Sequence, residues 1–147
     1  MIHLVTGGSG SGKSAYAEQC ILDFGGTRRV YIATMQPFGA EGQARIARHR
    51  KMRAAKQFST IECYTNLKEV ELEPGSDVLL ECMSNLTANE IFDPSGAGKA
   101  RAEEEILAGV SRLAHQARNL VLVTNEIFSD GYRYEEETIC LLYTSPS

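Results

Sequence analysis

A glycine-rich segment near the start of the chain constrains the fold more than any other feature. It fits the pattern G-x-x-x-x-G-K-[ST] of a phosphate-binding loop. A short apolar run, residues 2–6, precedes it, and residues 14–22 after it have helical spacing. The motif therefore lies between a predicted strand and a predicted helix, as such loops do. Its residues are Gly7, Gly8, Ser9, Gly10, Ser11, Gly12, Lys13 and Ser14.

The residue types of this loop suit the binding of phosphate groups. Glycines let backbone N–H groups approach phosphate oxygens closely. The N-terminus of the following helix adds a partial positive charge. We expect Lys13 to contact the β- and γ-phosphates and the Ser14 hydroxyl to bind Mg²⁺. The segment predicts nucleotide binding, and a glycine-rich turn with a chance lysine is the weaker interpretation.

Composition and charge exclude several other classes of protein. The chain has 147 residues, enough for one domain, and a formal net charge of −4, which argues against a general nucleic-acid or anionic-membrane binder. No apolar run approaches the roughly 20 residues needed to span a bilayer. The four cysteines are scattered, and no signal peptide is visible. We therefore expect a cytoplasmic protein with reduced thiols.

Predicted strands and helices alternate along the rest of the chain. Such alternation is typical of an α/β protein with a mostly parallel sheet and helices on both faces, here of the P-loop NTPase type. Nucleotide then binds at the carboxyl ends of the strands. The predicted strands are residues 29–34, 58–64, 77–82 and 119–124, the predicted helices are 41–56, 86–92 and 99–118, and 66–72 is expected to contain one or two helical turns.

One predicted helix is unusually basic for an acidic chain. No acidic residue occurs between Glu41 and Glu62, and Arg45, His49 and Arg53 are spaced so that they share one helical face. Three interpretations are open: a solvated basic face, an RNA-binding stripe, or a face that handles phosphate. In the third, neutral imidazole attacks a phosphorus atom and the arginines hold the charge that develops on the phosphoryl oxygens.

Three acidic residues close predicted strands. Glu81 ends an apolar run, where P-loop enzymes carry the acid that helps to hold Mg²⁺. Glu62 and Glu126 also follow strands. Each carboxylate is a metal or water partner, a hydrogen-bond acceptor for a base or ribose, or a solvated loop acid. We favour a functional role for Glu81.

Taken together, these segments resemble the bifunctional adenosylcobinamide kinase / adenosylcobinamide-phosphate guanylyltransferase family of cobalamin biosynthesis. The resemblance extends from Met1 to about Glu126, and the arginine–histidine–arginine helix is its most specific part. The matching pieces are the glycine loop, Tyr31-Ile32-Ala33-Thr34, Glu41, Arg45-Ile46, His49-Arg50 with Arg53, Phe58, Thr60 and Glu62, Leu80-Glu81-Cys82 with Asn89, and Val123-Thr124-Asn125-Glu126.

The resemblance implies a two-step enzyme. It phosphorylates adenosylcobinamide from ATP or GTP, then transfers GMP from GTP to that phosphate through a guanylyl-histidine, with release of pyrophosphate. The implied catalytic residues are His49 and Lys13, and the implied metal ligands for Mg²⁺ are Ser14 and Glu81. The implied nucleotide contacts are residues 7–14 of the loop, Ile32, Ala33, Thr34, Arg50, Lys51, Met52, Arg53, Glu62 and Glu81.

The chain departs from the family pattern at three places. Phe58 stands where the family often has tryptophan, residues 127–134 replace a glycine- and Val-Pro-containing stretch, and the end lacks the family's last helix and strand. We therefore expect one P-loop domain over residues 1–138, incomplete at its C-terminus, and a non-native tail over residues 139–147.

Two other functions remain alternatives to this enzyme. One is a P-loop kinase of another small metabolite, and the other is an inactive, truncated nucleotide-binding module. The expected partners are a corrinoid substrate, nucleotide and further copies of the chain as a homo-oligomer, with no nucleic acid and no membrane.

Overall fold

A computed structural model describes residues 2–7, 12–36 and 39–125 of the chain. This part forms five strands, four α-helices and a short 3-10 helix, Leu67–Glu69. The strands are β1 (Ile2–Gly7), β2 (Arg28–Ala33), β3 (Phe58–Glu62), β4 (Ser76–Glu81) and β5 (Asn119–Asn125), and the helices are α1 (Lys13–Asp23), α2 (Gly39–Ala55), α3 (Met83–Phe92) and α4 (Ala102–Gln116).

The five described strands form one parallel sheet in the order β1-β5-β4-β2-β3. The α/β class predicted from the sequence is confirmed. Because every strand runs in the same direction, all carboxyl ends meet at one edge, where Gly7, Ala33, Glu62 and Glu81 lie. The glycine loop leaves β1 at one side of this edge, and β3 ends at the other.

Each face of the sheet has its own apolar core. On one face, Ala17 and Ile21 of α1 pack with Tyr31, Leu79 and Val121. The opposite face carries the larger cluster, which α3, α4 and the 3-10 helix cover. The cluster includes Leu67, Leu80, Leu86, Ile106, Val110, Leu113 and Leu122. Near-continuous apolar strands are expected of a parallel sheet that is covered on both faces.

Helix α2 lies on the same face as α1 but contributes almost nothing to the core. It has 17 residues, and the one buried residue among them is Arg53. The Arg53 guanidinium lies over the ring of Tyr31, a member of the α1 core. A further contact joins the end of α2 to α1: Lys56, the residue after α2, forms an ion pair with Glu18 of α1, with 2.7 Å between Nζ and Oε1. Polar contacts thus hold this helix to the sheet.

Two predicted helix starts differ from the structure, each for a local reason. α3 begins at Met83, three residues before the predicted 86, because Cys82 is an extended N-cap whose sulfur accepts from the Asn85 N–H. Cysteine is not among the usual capping residues. α4 begins at Ala102, not at 99, because the chain first turns at Gly98, whose φ is 86°.

The remaining differences are small. β3 ends at Glu62, two residues before the predicted 64, and α2 begins at Gly39, two residues before the predicted 41. The predicted turn in 66–72 is confirmed as the 3-10 helix. Among the described helices none is long and apolar enough to cross a membrane. Residues 8–11 and 126–147, with the expected domain end at 138 and the tail 139–147, lie outside the described part.

Two glycines give a matched test of this packing. At Gly109 of α4, an added Cβ would lie 2.7 Å from Leu67 Cβ, whereas at Gly42 of α2 it would meet nothing within 4 Å. We expect Gly109→Ala to lower the free energy of unfolding by about 1–3 kcal/mol through overpacking. Gly42→Ala should raise it by about 0.5–1 kcal/mol, since alanine is the better helix former. Urea titration measures both, and equal effects would contradict the packing of α4 on residue 67.

Candidate functional site

The described end of the glycine loop has the geometry that anion binding requires. Gly12, with φ 84°, is the N-cap of α1 in the left-handed region, where a side chain would be strained. Among the described residues no side chain caps this helix, and its first turn has no acidic residue. The N–H groups of the first turn are therefore not consumed by a capping side chain and can donate to phosphate. The predicted contacts Gly8, Ser9, Gly10 and Ser11 lie outside the described residues.

Two hydroxyl groups converge on the Glu81 carboxylate at the end of β4. The Ser14 hydroxyl donates to Oε2 in a short hydrogen bond. The Tyr31 hydroxyl donates to Oε1 at 2.9 Å. Burial, followed by the charge of Glu81, raises the pKa of Tyr31 far above its ordinary value, so Tyr31 is a hydrogen-bond donor at any ordinary pH. The structure thus brings the two predicted metal ligands, Ser14 and Glu81, into direct contact.

These two oxygen atoms suit Mg²⁺. This ion prefers hard oxygen donors, and it usually binds through one or two carboxylates together with waters and substrate phosphates. Ser14 Oγ and Glu81 Oε2 supply a hydroxyl and a carboxylate side by side at the start of α1. Within the described residues no group of three or more His, Cys, Asp or Glu side chains could hold a metal alone. The donor set therefore fits a cation that shares its shell with nucleotide.

The predicted contacts at the end of β2 are largely inside the protein. Ile32 and the Thr34 side chain are fully buried. The Thr34 hydroxyl accepts from the Cys82 N–H at 2.8 Å and lies 2.9 Å from the Cys82 carbonyl oxygen. Asn89 Nδ2 in turn donates to the Thr34 carbonyl at 2.8 Å. These bonds tie the ends of β2 and β4 together and set the position of Glu81.

The basic residues of α2 have different environments. His49 is exposed and forms no hydrogen bond with the described residues, and Lys51 and Met52 are also exposed. Arg50 pairs with Glu62 at the end of β3. Arg53 is only 7% exposed, with its guanidinium carbon 3.6 Å from the centre of the Tyr31 ring. The continuous helix confirms that residues at i, i+4 and i+8 share a face, but that face runs from solvent into the protein.

Burial of Arg53 has an energetic cost that packing alone does not explain. Its Nε is buried without a hydrogen-bond partner in the described part of the chain. An unsatisfied buried donor costs about 1–3 kcal/mol. A cation over an aromatic face recovers about 0.5–2 kcal/mol. The contact with the Tyr31 ring therefore offsets part of the cost of the unpaired Nε.

Contacts connect the His49 helix to the glycine loop. Four strand spacings separate β1 from β3, or roughly 19 Å. Helix α1, however, packs across β5 and β4 and so approaches β2. Ser14 touches Glu81, Glu81 touches Tyr31, and Tyr31 carries Arg53, one turn from His49. A run of contacts thus links Ser14, at the start of α1, to Arg53 of the helix that carries His49.

Two cavities open beside this chain of contacts, and both are lined by Glu62. The smaller, of about 400 Å³, lies between α2 and β3 and is lined by Arg50, Ala54, Phe58, Thr60 and Glu62. The larger, of about 630 Å³, lies beyond the carboxyl end of β3 and is also lined by Gln36, Cys63, Asp93 and Ser95. Neither the Tyr31–Glu81 contact nor the larger cavity was identified from the sequence, because no local pattern marks residues that meet across strands.

The wall of the larger cavity depends on a buried carboxylate. Glu90 is 2% exposed, and its two oxygens accept from the N–H groups of Asn66 and Ala97, each at 2.9 Å. Burial first, and then the charges of Glu90 and Glu69, raise the pKa of the nearby Cys63 thiol to about 11. On the opposite wall, the Ser95 hydroxyl and N–H and the Gln36 amide lower the pKa of Asp93.

Glu90→Gln tests this support. An amide has one acceptor oxygen for two N–H donors, so one donor loses its partner, and we expect a loss of about 1–3 kcal/mol in the free energy of unfolding. Glu69→Gln is the matched control, because Glu69 is exposed on the same cavity. Chemical denaturation of both variants measures the difference, and an equal loss in the control would refute the assignment.

Several known proteins are similar to this chain in sequence. The model of a family described as cobinamide kinase / cobinamide phosphate guanyltransferase matches residues 3–138. The bifunctional adenosylcobalamin biosynthesis protein CobU of Escherichia coli (strain K12) is 35% identical over 140 residues, which cover 86% of this chain and 76% of the relative. The protein of the same name from Salmonella typhimurium is 36% identical with the same coverage. The CobP protein of Pseudomonas aeruginosa is 33% identical over 131 residues, 86% of this chain and 72% of the relative.

Proposed function

The chain belongs to the cobinamide kinase / cobinamide phosphate guanyltransferase family, and we propose that it carries out both reactions at the connected site described above. In the first, the γ-phosphoryl group of ATP or GTP passes to the hydroxyl of adenosylcobinamide. In the second, GMP passes from GTP to the resulting phosphate, giving adenosylcobinamide-GDP. The observation that carries the proposal is the chain of contacts from Ser14 through Glu81, Tyr31 and Arg53 to the helix of His49.

The glycine-loop end serves the phosphoryl transfer. Phosphoryl transfer is catalysed mainly by positioning and by neutralising charge on the phosphoryl oxygens. The uncapped N-terminus of α1 and the Lys13 ammonium supply positive charge there. Ser14 and Glu81 would hold Mg²⁺, which would offset the negative charge of the phosphate oxygens.

His49 serves the guanylyl transfer as the nucleophile. A ring nitrogen attacks the α-phosphorus of GTP, a P–N bond forms, the bond to the bridging oxygen breaks, and pyrophosphate leaves with that oxygen. A phosphate oxygen of the acceptor then attacks the same phosphorus and releases His49. The exposed imidazole, with no hydrogen-bond partner among the described residues, is accessible to substrate. Neighbouring guanidinium groups stabilise charge on the phosphoryl oxygens.

The cavity between α2 and β3 suits the nucleoside. Glu62 carries the acceptor oxygens that the N–H groups of guanine require, and Phe58 and Ala54 supply apolar wall. Arg50 already pairs with Glu62, so nucleotide exchanges this ion pair for its own contacts. Lys51 and Met52 lie exposed on the same helix, at positions that the resemblance assigns to nucleotide contact.

The cellular setting follows from composition and family. We propose that the enzyme works in the cytoplasm as a homo-oligomer, on small-molecule substrates and without nucleic acid or membrane. The formal net charge of −4 supports the absence of a nucleic-acid or membrane partner.

Replacing His49 tests the covalent step. With GTP labelled at the α-phosphate, the unaltered chain should give a labelled protein whose label is lost in acid, because a phosphoramidate is acid-labile. His49→Ala should abolish the label while phosphorylation of adenosylcobinamide continues. His115→Ala is the control: His115 is an exposed histidine on α4 whose Nδ1 lies 2.7 Å from the Ser111 carbonyl oxygen, and its label should stay within twofold.

The same assay separates the alternatives. If the chain phosphorylates adenosylcobinamide but forms no guanylyl-protein, it has kinase activity and no guanylyltransferase activity. If the chain phosphorylates a different small metabolite and not adenosylcobinamide, the alternative of a P-loop kinase of another metabolite is favoured. A thermal shift with Mg-GTP and no turnover at all would indicate a nucleotide-binding module.

Glu81→Gln tests the metal assignment. The amide keeps the shape and accepts from one of the two hydroxyl groups, but it loses the charge that attracts Mg²⁺. We expect the Mg²⁺ concentration for half-maximal kinase activity to rise by about tenfold or more, as the loss of a charged ligand implies. Glu73→Gln, an exposed acid at the opposite end of β4, should leave the titration unchanged. An unaltered titration in Glu81→Gln would remove this residue from the metal site.

A further inference from the structure

Tyr31 of β2 makes two separate contacts with other elements. Its hydroxyl donates to Glu81 Oε1 at 2.9 Å, and its ring face carries the Arg53 guanidinium at 3.6 Å. The residue is buried on the face that α1 and α2 share. One contact therefore points to the glycine loop and the other to the basic helix.

The ring contact positions α2. Arg53 is the one buried side chain of this helix, whereas the ion pairs of Arg50 with Glu62 and, just after the helix, of Lys56 with Glu18 lie at the surface. Exposed ion pairs contribute little to stability. The guanidinium over the ring therefore fixes the distance of α2 from the sheet and the rotation of α2 about its own axis. His49 lies one turn from Arg53, so its placement follows from this contact.

The hydroxyl contact positions Glu81. Its Oε1 is occupied by Tyr31, which leaves Oε2 directed to Ser14. Without the tyrosine hydroxyl, the carboxylate could rotate about its last side-chain torsion, which is broad for glutamate. The orientation of one metal ligand thus depends on a residue that touches neither phosphate nor metal.

We infer that Tyr31 is a positioning residue for both reactions: its hydroxyl orients the Glu81 carboxylate for Mg-nucleotide, and its ring seats α2 and so places His49. This inference rests on the proposed function for the two reactions, but the two contacts also have readouts that need no turnover. One is the Mg²⁺ dependence of nucleotide binding, and the other is the hydrogen exchange of the α2 backbone.

Tyr31→Phe removes the hydroxyl and keeps the ring. We expect the Mg²⁺ concentration that supports binding of a fluorescent GTP analogue to rise by about tenfold, as for a lost hydrogen bond to a charged group. Amide exchange of α2 and the rate of guanylyl-protein formation at saturating Mg²⁺ should stay within twofold. The shift in the Mg²⁺ titration and the unchanged exchange and labelling rates must be seen together, because a general loss of structure would change all three measurements.

Arg53→Met removes the cation and keeps the apolar stem. We expect amide exchange within residues 44–54 to accelerate by about 3- to 30-fold, the loss that a cation–π contact implies. Guanylyl-protein formation should fall by a similar factor. Arg48→Met, an exposed arginine of the same helix, is the control and should leave the exchange unchanged. Arg53→Lys should restore part of the protection.

Either of two results would overturn the inference. If Tyr31→Phe leaves the Mg²⁺ titration in place, the hydroxyl does not orient Glu81. If Arg53→Met leaves the exchange of α2 unaltered, the ring does not seat the helix. Failure of the proposed function is a distinct result: the unaltered chain would form no guanylyl-protein, while the titration and exchange measurements would still decide the role of Tyr31.

Discussion

The arrangement of the site depends on one carboxylate at the end of a buried strand. The Glu81 carboxylate accepts two hydrogen bonds, one from the hydroxyl of Ser14 in α1 and one from the hydroxyl of Tyr31 in β2. Its main-chain carbonyl also accepts from the Thr34 N–H at 3.2 Å. Three segments that are distant in the chain are held together here. A carboxylate is suited to this position because its two oxygens can serve two donors at once.

The parallel sheet makes this convergence possible. Strands that run in one direction bring their carboxyl ends to one edge, and the polar residues that follow apolar strands must collect there. The apolar residues of β4 and β5 are buried on both faces and hold the edge rigid. The buried strand residues thus stabilise the fold, and the polar residues of the candidate site lie at the strand ends.

The sequence was sufficient for the parts of the site that local patterns encode. The glycine motif predicted the strand before it and the helix after it, and the apolar run before Glu81 predicted an acid at a strand end. Helical spacing predicted one face for Arg45, His49 and Arg53. Strand order and cross-strand contacts were not accessible. Nothing in the neighbourhood of Tyr31 indicates that its ring receives Arg53, because that contact depends on how α2 crosses the sheet. Likewise, Cys82 caps a helix although its residue type is rarely a cap.

The weak attachment of α2 has a consequence for how this protein can evolve. Sixteen of its 17 residues are not buried, so most changes along this helix remove no core contact and should leave folding almost untouched. Selection on these positions then operates through what the helix binds. The sheet beneath the helix is under a separate and stricter constraint, because its apolar residues are buried on both faces.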